Sequence, residues 1–407
     1  MTPIIPSMCH PLPRRSHSFY RTALALMVLG QFAVLPLQAH TPHDLIAAAK
    51  AKAALLKAAQ LKAAMLKAAQ ERSALIKSLA TYDLLFQSGI NHVSLMQVRQ
   101  LGYLLYDHFE LKRTERELSS WDTHSEDPWN LWTQESGSLW RAPSNASSPS
   151  RNTSSGAFLL GVDYQLCRDL RAGLFSGYLP SYTTLSGGLG SASSEGLTYG
   201  GTLSYAKPQG GFYADGVISG EGFQSSTSHP VISNGTHYGT VSAKPVSAAY
   251  TLGGDMGYDV RRGRWTYGPV AMMQYTELQA DSISLSGPGK SSGMVNGQCL
   301  ESLYTGFGSH VLYSLPINSS VTLVPEVRLF WSHEFLDGAT TATGTLSQAP
   351  GHTYSATTSP GKQNAGNAYA GLTALFGKNL SSSLFYGGSL SSGNSVQSLL
   401  LSINLSL

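Results

Sequence analysis

Few residues of this chain are spaced for bond-making chemistry. His229, His237, His333 and His352 fall in or beside two Ser-, Thr-, Gly- and Asn-rich stretches, 222–247 and 334–366. They are too scattered for metal-ligand spacing and read as solvated loop side chains. There is no His-Glu-x-x-His pair, no phosphate-binding glycine loop and no nucleophile elbow at a strand-to-helix turn. Catalytic, cofactor-binding and metal-binding residues are therefore all expected to be none, and the chain is not read as an enzyme. Asp163, Asp215, Asp255, Glu326 and Arg328 are different. Each interrupts an alternating apolar stretch, so each is expected to face a wet interior, where opposite charges form static salt links.

The elements that position these charges follow from composition and periodicity. Only 13% of the 407 residues are charged, against roughly 25% in soluble domains, while there are 42 Gly and 20 Tyr. Mean hydropathy stays near zero. After residue 40 no apolar run approaches the roughly 20 residues of a membrane helix. From Trp129 the period is two. Trp265, Tyr267, Pro269, Ala271, Met273 and Tyr275 share one face, as do Leu323, Pro325, Val327, Leu329 and Trp331 opposite Glu326, Arg328 and Ser332. The last stretch is the cleanest, with Leu399, Leu401, Ile403, Leu405 and Leu407 on one face and Ser402, Asn404 and Ser406 on the other.

A sandwich with one buried face would alternate in the same way, so the connections decide. Strands are expected at 129–140, 154–166, 171–179, 195–207, 212–221, 248–259, 264–276, 300–314, 321–333, 367–376, 381–388 and 395–407. The even-numbered connections 167–170, 208–211, 260–263, 315–320 and 377–380 are tight. All but the last of the odd-numbered ones, 141–153, 180–194, 222–247, 277–299, 334–366 and 389–394, are long. Tight turns at one end and long loops at the other mark an outer-membrane barrel with its turns in the periplasm. The fold class is all-β: a twelve-stranded antiparallel transmembrane β-barrel with an N-terminal α-helical extension. Unpaired backbone groups in hydrocarbon cost several kcal/mol each, so the first strand must pair with the last.

Ahead of the barrel, Arg14, Arg15 and Arg21 precede an apolar run, Thr22–Leu37, and then Gln38-Ala39. Residues 1–39 read as a Sec-type signal peptide. Residues 40–128 form a helical arm or linker, either a minimal passenger or a barrel plug. Its Leu-Lys-Ala-Ala repeat, Leu56–Gln70, is made of strong helix formers. Lys50, Lys52, Lys57, Lys62, Lys67, Arg72 and Lys77 face only Asp44 and Glu71, so the arm is basic. Gly89 is expected to interrupt the helix, with a second stretch over 93–118. Asn91 and His92 are read as helix-surface residues. Cys167 and Cys299 suggest neither a disulfide framework nor a metal site. A formal charge of +3 gives no footprint for nucleic acid.

The aromatic opening WNLWTQESGSLWR, the hairpin GAFLLGVDYQLCRDLRAGLFSGY and the stretches GYDVRRGRWTYGPVAMMQYTEL and LVPEVRLFWSHEFLDG resemble the autotransporter β-domain of type V secretion over residues 129–407. The resemblance implies a translocator barrel in the Gram-negative outer membrane that anchors its N-terminal segment and moves it to the cell surface. It implies a lumen holding the helix that precedes Trp129. The implied partners are outer-membrane lipid, periplasmic chaperones and the barrel-assembly machinery, with the barrel itself a monomer. That machinery would read the terminal ladder Leu401, Ile403, Leu405 and Leu407, although the family commonly ends in Phe or Trp. The sequence also lacks the Asn-Asn pair at which some members cut their linker. The other reading is a passive pore or a surface adhesin working through its outer loops. A lumen clear of helix would favour that alternative.

Overall fold

The computed structural model describes residues 42–118, 128–144, 150–207, 210–233, 236–287, 292–336, 339–347, 349, 351–358, 363–377, 379–391 and 394–407. The expected signal peptide lies outside these residues. Twelve antiparallel strands form one closed sheet: β1 (Trp129–Ala142), β2 (Arg151–Cys167), β3 (Leu170–Leu185), β4 (Gly190–Ala206), β5 (Gly211–Ser233), β6 (Val246–Arg262), β7 (Trp265–Ala280), β8 (Gln298–Tyr313), β9 (Val321–Glu334), β10 (Asn364–Phe376), β11 (Leu380–Ser391) and β12 (Ser395–Ser406). Each pairs with its sequence neighbours. The ring closes between β1 and β12, with Leu131 opposite Leu405, Thr133 opposite Ile403 and Glu135 opposite Leu401. The amide of Leu407 adds one further bond, donating to the Trp129 carbonyl at 3.1 Å. None of the twelve barrel strands is left as an edge, as a barrel in hydrocarbon requires.

The alternation read from the sequence is the difference between the two faces of this wall. On β12, Leu399, Leu401, Ile403 and Leu405 are exposed on the outside while Ser402 and Asn404 are buried within. Outward aromatics collect at the tight-turn end, where the Trp129 and Tyr164 rings lie 4.7 Å apart and Trp265 and Tyr313 also 4.7 Å apart. Such pairs form a girdle at a membrane interface. No described helix is long and apolar enough to cross a membrane.

The strands run further into the loop end than the pattern suggested. Residues expected as loop 222–247 continue β5 and fold back as the hairpin strand Thr236–Ala243. Connections 277–299 and 334–366 supply a separate four-stranded sheet from Ile283–Leu285, Gly293–Val295, Thr340–Leu346 and Thr353–Thr358. The inward apolar residues of these loop-end strands, such as Val231, Val241, Ile283, Leu285 and Ala342, are few and set among Ser, Thr and Gly, so they form no long run of alternation to find.

A single helix, α1 (Pro42–Leu118), precedes the barrel. The chain divides into two units within it, one ending at Ile76 and the other beginning at Lys77. In the first unit the side chains described between Lys50 and Ser73 are exposed, including Leu56, Leu61, Met65 and Leu66. In the second, α1 continues for roughly 60 Å among the barrel strands. The expected break at Gly89 does not occur. Arg151 of β2 donates to the Gly89 carbonyl at 2.9 Å, and a Cβ on residue 89 would sit 3.1 Å from that guanidinium. The glycine makes room for the wall and leaves the helix unbroken.

Candidate functional site

The second unit of α1 runs through the barrel, and the site is the interface between its side chains and the inner face of the wall. Its middle is apolar. Leu101, Leu104, Leu105, Tyr106 and Phe109 pack with Trp132, Leu159, Phe175, Tyr213, Val217, Val270, Phe330, Tyr369, Phe385 and Leu400, which come from nine different strands. Trp132 lies across Gly161, where a Cβ would come within 2.2 Å of the indole. The same indole stacks on His108 at 4.1 Å.

Around that core the helix carries charges, each met by the wall. His108 Nε2 lies 3.1 Å from Asp163 Oδ2, and the Trp132 indole N–H donates to Asp163 Oδ1 at 3.0 Å. Lys112 donates to Asn130 at 2.6 Å and to Glu115 at 2.7 Å. Arg113 donates to Asp215 and, at 2.6 Å, to Glu110; Asp255 is 3.8 Å away, and the guanidinium sits 3.7 Å above the Tyr213 ring. Arg328 holds both Glu326 oxygens at 2.6 and 3.0 Å and reaches Asp107 of the helix at 3.0 Å. The Ser402 hydroxyl of β12 donates to the other Asp107 oxygen at 2.7 Å. Asp107 thus ties the helix to the seam where the barrel closes.

Towards the loops the charges thin out and neutral hydrogen bonds join them. Asn91 donates to Gln298 at 2.7 Å and Gln97 to the Leu179 carbonyl at 3.2 Å. Arg99 meets Glu334, and Tyr103 meets Tyr304. At the loop end Asp83 Oδ1 lies 2.6 Å from His229 Nε2, and Leu84 packs into an apolar cluster with Val231, Val241, Ile283, Leu285, Val295, Ala342 and Ala356. There the Tyr82 hydroxyl donates to the Leu189 carbonyl at 2.5 Å. Burial, with the Asp83 carboxylate adding to it, pushes the Tyr82 phenol up to about 12 and keeps it a neutral donor. At the tight-turn end Arg116 donates to the Ala206 carbonyl at 2.7 Å and to Gln165 at 3.0 Å.

Asp163, Asp215, Asp255, Glu326 and Arg328 are all buried, and each has its partner within this interface. Leu401, Ile403 and Leu405 face outward, and Leu407 is exposed at the closing seam. Two expectations are corrected. Asn91 is buried against β8 instead of lying on a free helix surface, and His229 is buried by the helix instead of solvated in a loop. Sequence reasoning missed Asp259 and His310, whose rings and oxygens meet at 2.9 Å, and the helix partners Asp107, His108, Glu110 and Arg113. The one signal for the helix partners was the dense run of charge from Asp107 to Glu117 just before the barrel. Gly289-Lys290-Ser291-Ser292-Gly293 has the letters of a nucleophile elbow, but it connects two strands and most of it lies outside the described residues. Cys167 and Cys299 are not joined in a disulfide.

Comparison with known proteins places this architecture. The autotransporter β-domain model matches residues 131–387. The chain belongs to that family: it is an outer-membrane translocator barrel of type V secretion, a non-catalytic transport domain. The fold is similar to that of the translocator domain of the autotransporter NalP from Neisseria meningitidis, with a TM-score of 0.58 and 14% identity, covering 79% of this chain and 98% of that one. It is also similar to the β-domain of the Bordetella autotransporter BrkA, with a TM-score of 0.53 and 16% identity, covering 69% of this chain and 100% of that one. No curated protein matches the sequence.

Proposed function

We propose that the barrel carries its own N-terminal segment outward through the lumen and then keeps residues 77–118 there as a plug. The observation that supports this most is the direction of α1. Its later residues, such as Arg116, meet the tight turns, and its earlier ones, such as Asp83 and Leu84, meet the loop strands. A chain in that orientation has entered from the periplasmic turns and left among the external loops. On this reading residues 40–128 are both linker and minimal passenger, and the basic stretch from Lys50 to Arg72 is the cargo displayed outside. Asp163, Asp215, Asp255, Glu326 and Arg328 hold the helix once transport has ended.

The wall is embedded in outer-membrane lipid. We further infer that periplasmic chaperones deliver the unfolded chain and that the barrel-assembly machinery reads Leu401, Ile403, Leu405 and Leu407. The outward apolar ladder supports that role even though the chain ends in Leu. The passive-pore alternative is disfavoured, since α1 packs against the wall where such a pore must be open.

The test is protease shaving of intact cells with an epitope tag placed near Gln60. Loss of the tag with the barrel left intact is the expected result. A tag that is protected until the outer membrane is permeabilised would show the arm to be periplasmic.

A further inference from the structure

The buried carboxylates outnumber the cations that hold them. Asp107, Glu110, Asp215, Asp255 and Glu326 share the guanidinium groups of Arg113 and Arg328, and His310 stands among them against a sixth carboxylate, Asp259. His310 is at 0% side-chain exposure. Its Nε2 is fixed by Asp259 at 2.9 Å, while its Nδ1 has no well-directed hydrogen bond. That nitrogen looks onto Glu110 Oε1 at 3.0 Å and Glu326 Oε1 at 3.7 Å, and all three ligand atoms lie within 4.8 Å of one another.

We propose that Glu110, His310 and Glu326 bind one divalent cation of the zinc class, which fastens the plug helix to the barrel wall. Ligands at about 2.0–2.1 Å from tetrahedral zinc stand about 3.3 Å apart, and the two distances from Nδ1 bracket that edge. One imidazole and two carboxylates suit zinc better than magnesium or calcium, which prefer oxygen alone. Asp259 supplies the carboxylate that characteristically orients a metal-bound histidine through its other nitrogen. The arginines leave room. Arg113 engages Glu110 through Oε2, and the Glu326 oxygen shared with Arg328 keeps a second lone pair. A dication also offsets part of the excess negative charge, which is costly when buried and unpaired. The proposal rests on the plug reading, because one ligand comes from α1 and two from β8 and β9.

The test uses the full chain folded in detergent, its fold checked by heat-modifiable gel migration. The protein is refolded with a chelator, then with Co²⁺ or Zn²⁺. The expected result is one Zn²⁺ per chain by calorimetry and a visible Co²⁺ spectrum of nitrogen and oxygen ligation. Both should be lost in folded His310→Gln and Glu110→Gln, and affinity should fall about 10- to 100-fold in Asp259→Asn. The proposal is overturned if the wild type takes up no more zinc than His310→Gln, which would leave His310 as an imidazolium between Glu110 and Asp259. A thiolate charge-transfer band would also overturn it by assigning the ion to Cys167 or Cys299. Should the variants fail to fold, the wild-type Co²⁺ spectrum alone decides: no nitrogen and oxygen bands means no site. A chain that takes up no zinc yet blocks current across a bilayer would sink the site while leaving the plug in place. A chain that binds zinc yet conducts would sink the plug.

Discussion

The two units of α1 share one secondary structure and differ in everything that gives it a role. Before Ile76 the helix owes its existence to Ala, Leu and Lys propensity, and the charges described there are solvated; the Lys67–Glu71 pair at 4.0 Å is largely exposed and worth a few tenths of a kcal/mol at most. After Lys77 the residues from Asp107 to Thr114 are buried, and the charges among them are held by the wall or by a neighbour on the helix. A membrane barrel inverts the soluble rule, with its apolar face outside and its polar face within. A helix placed in its lumen is therefore largely buried while remaining charged. The difference teaches that helix formation here is local, whereas helix placement depends on matching a wall.

The largest effect that could break this comparison is loss of a buried cation. Arg113→Ala strands Glu110, Asp215 and Asp255, and should weaken helix docking by about 3–5 kcal/mol. The readout is hydrogen exchange of residues 100–116 in the folded barrel, and unchanged protection would refute the pairing. Next come the apolar contacts. Phe109→Ala should cost about 3–5 kcal/mol and Leu105→Ala about 2–5 kcal/mol of the same stability, by calorimetry. Gly161→Ala pushes a methyl into Trp132 and should cost about 1–3 kcal/mol, seen as altered Trp fluorescence and a lower Tm. At the small end, Leu61→Ala or Lys62→Gln in the first unit should move barrel stability by no more than about 0.5 kcal/mol. An effect there as large as that of Leu105→Ala would show that the first unit is not independent.

Much of this was legible because lipid imposes a rule that every stave obeys. Each of the twelve strands fell within a few residues of its expected place where it crosses the membrane, since only there must one face be apolar. Asp163, Asp215, Asp255, Glu326 and Arg328 stood out as charges within that alternation. The rest depended on pairing between distant parts of the chain. His310 follows Gly306 and Gly308 on a strand with no other charge nearby, so nothing in the sequence aims it at Glu110. Gly89 read as a break because its partner, Arg151, is 62 residues away. Asn91 and His229 read as surface residues in the sequence because polar side chains usually are. In this lumen, polar side chains are buried beside an apolar core.

The central claim is that α1 closes the lumen, and its most direct test is electrical. The full chain, folded and inserted into a planar bilayer, is predicted to pass almost no steady current under a transmembrane voltage. The Arg113→Ala variant, with its helix loosened, should show frequent openings. A steady open-pore conductance from the unmodified chain would contradict the account, because it would mean that the helix does not occupy the barrel in a membrane.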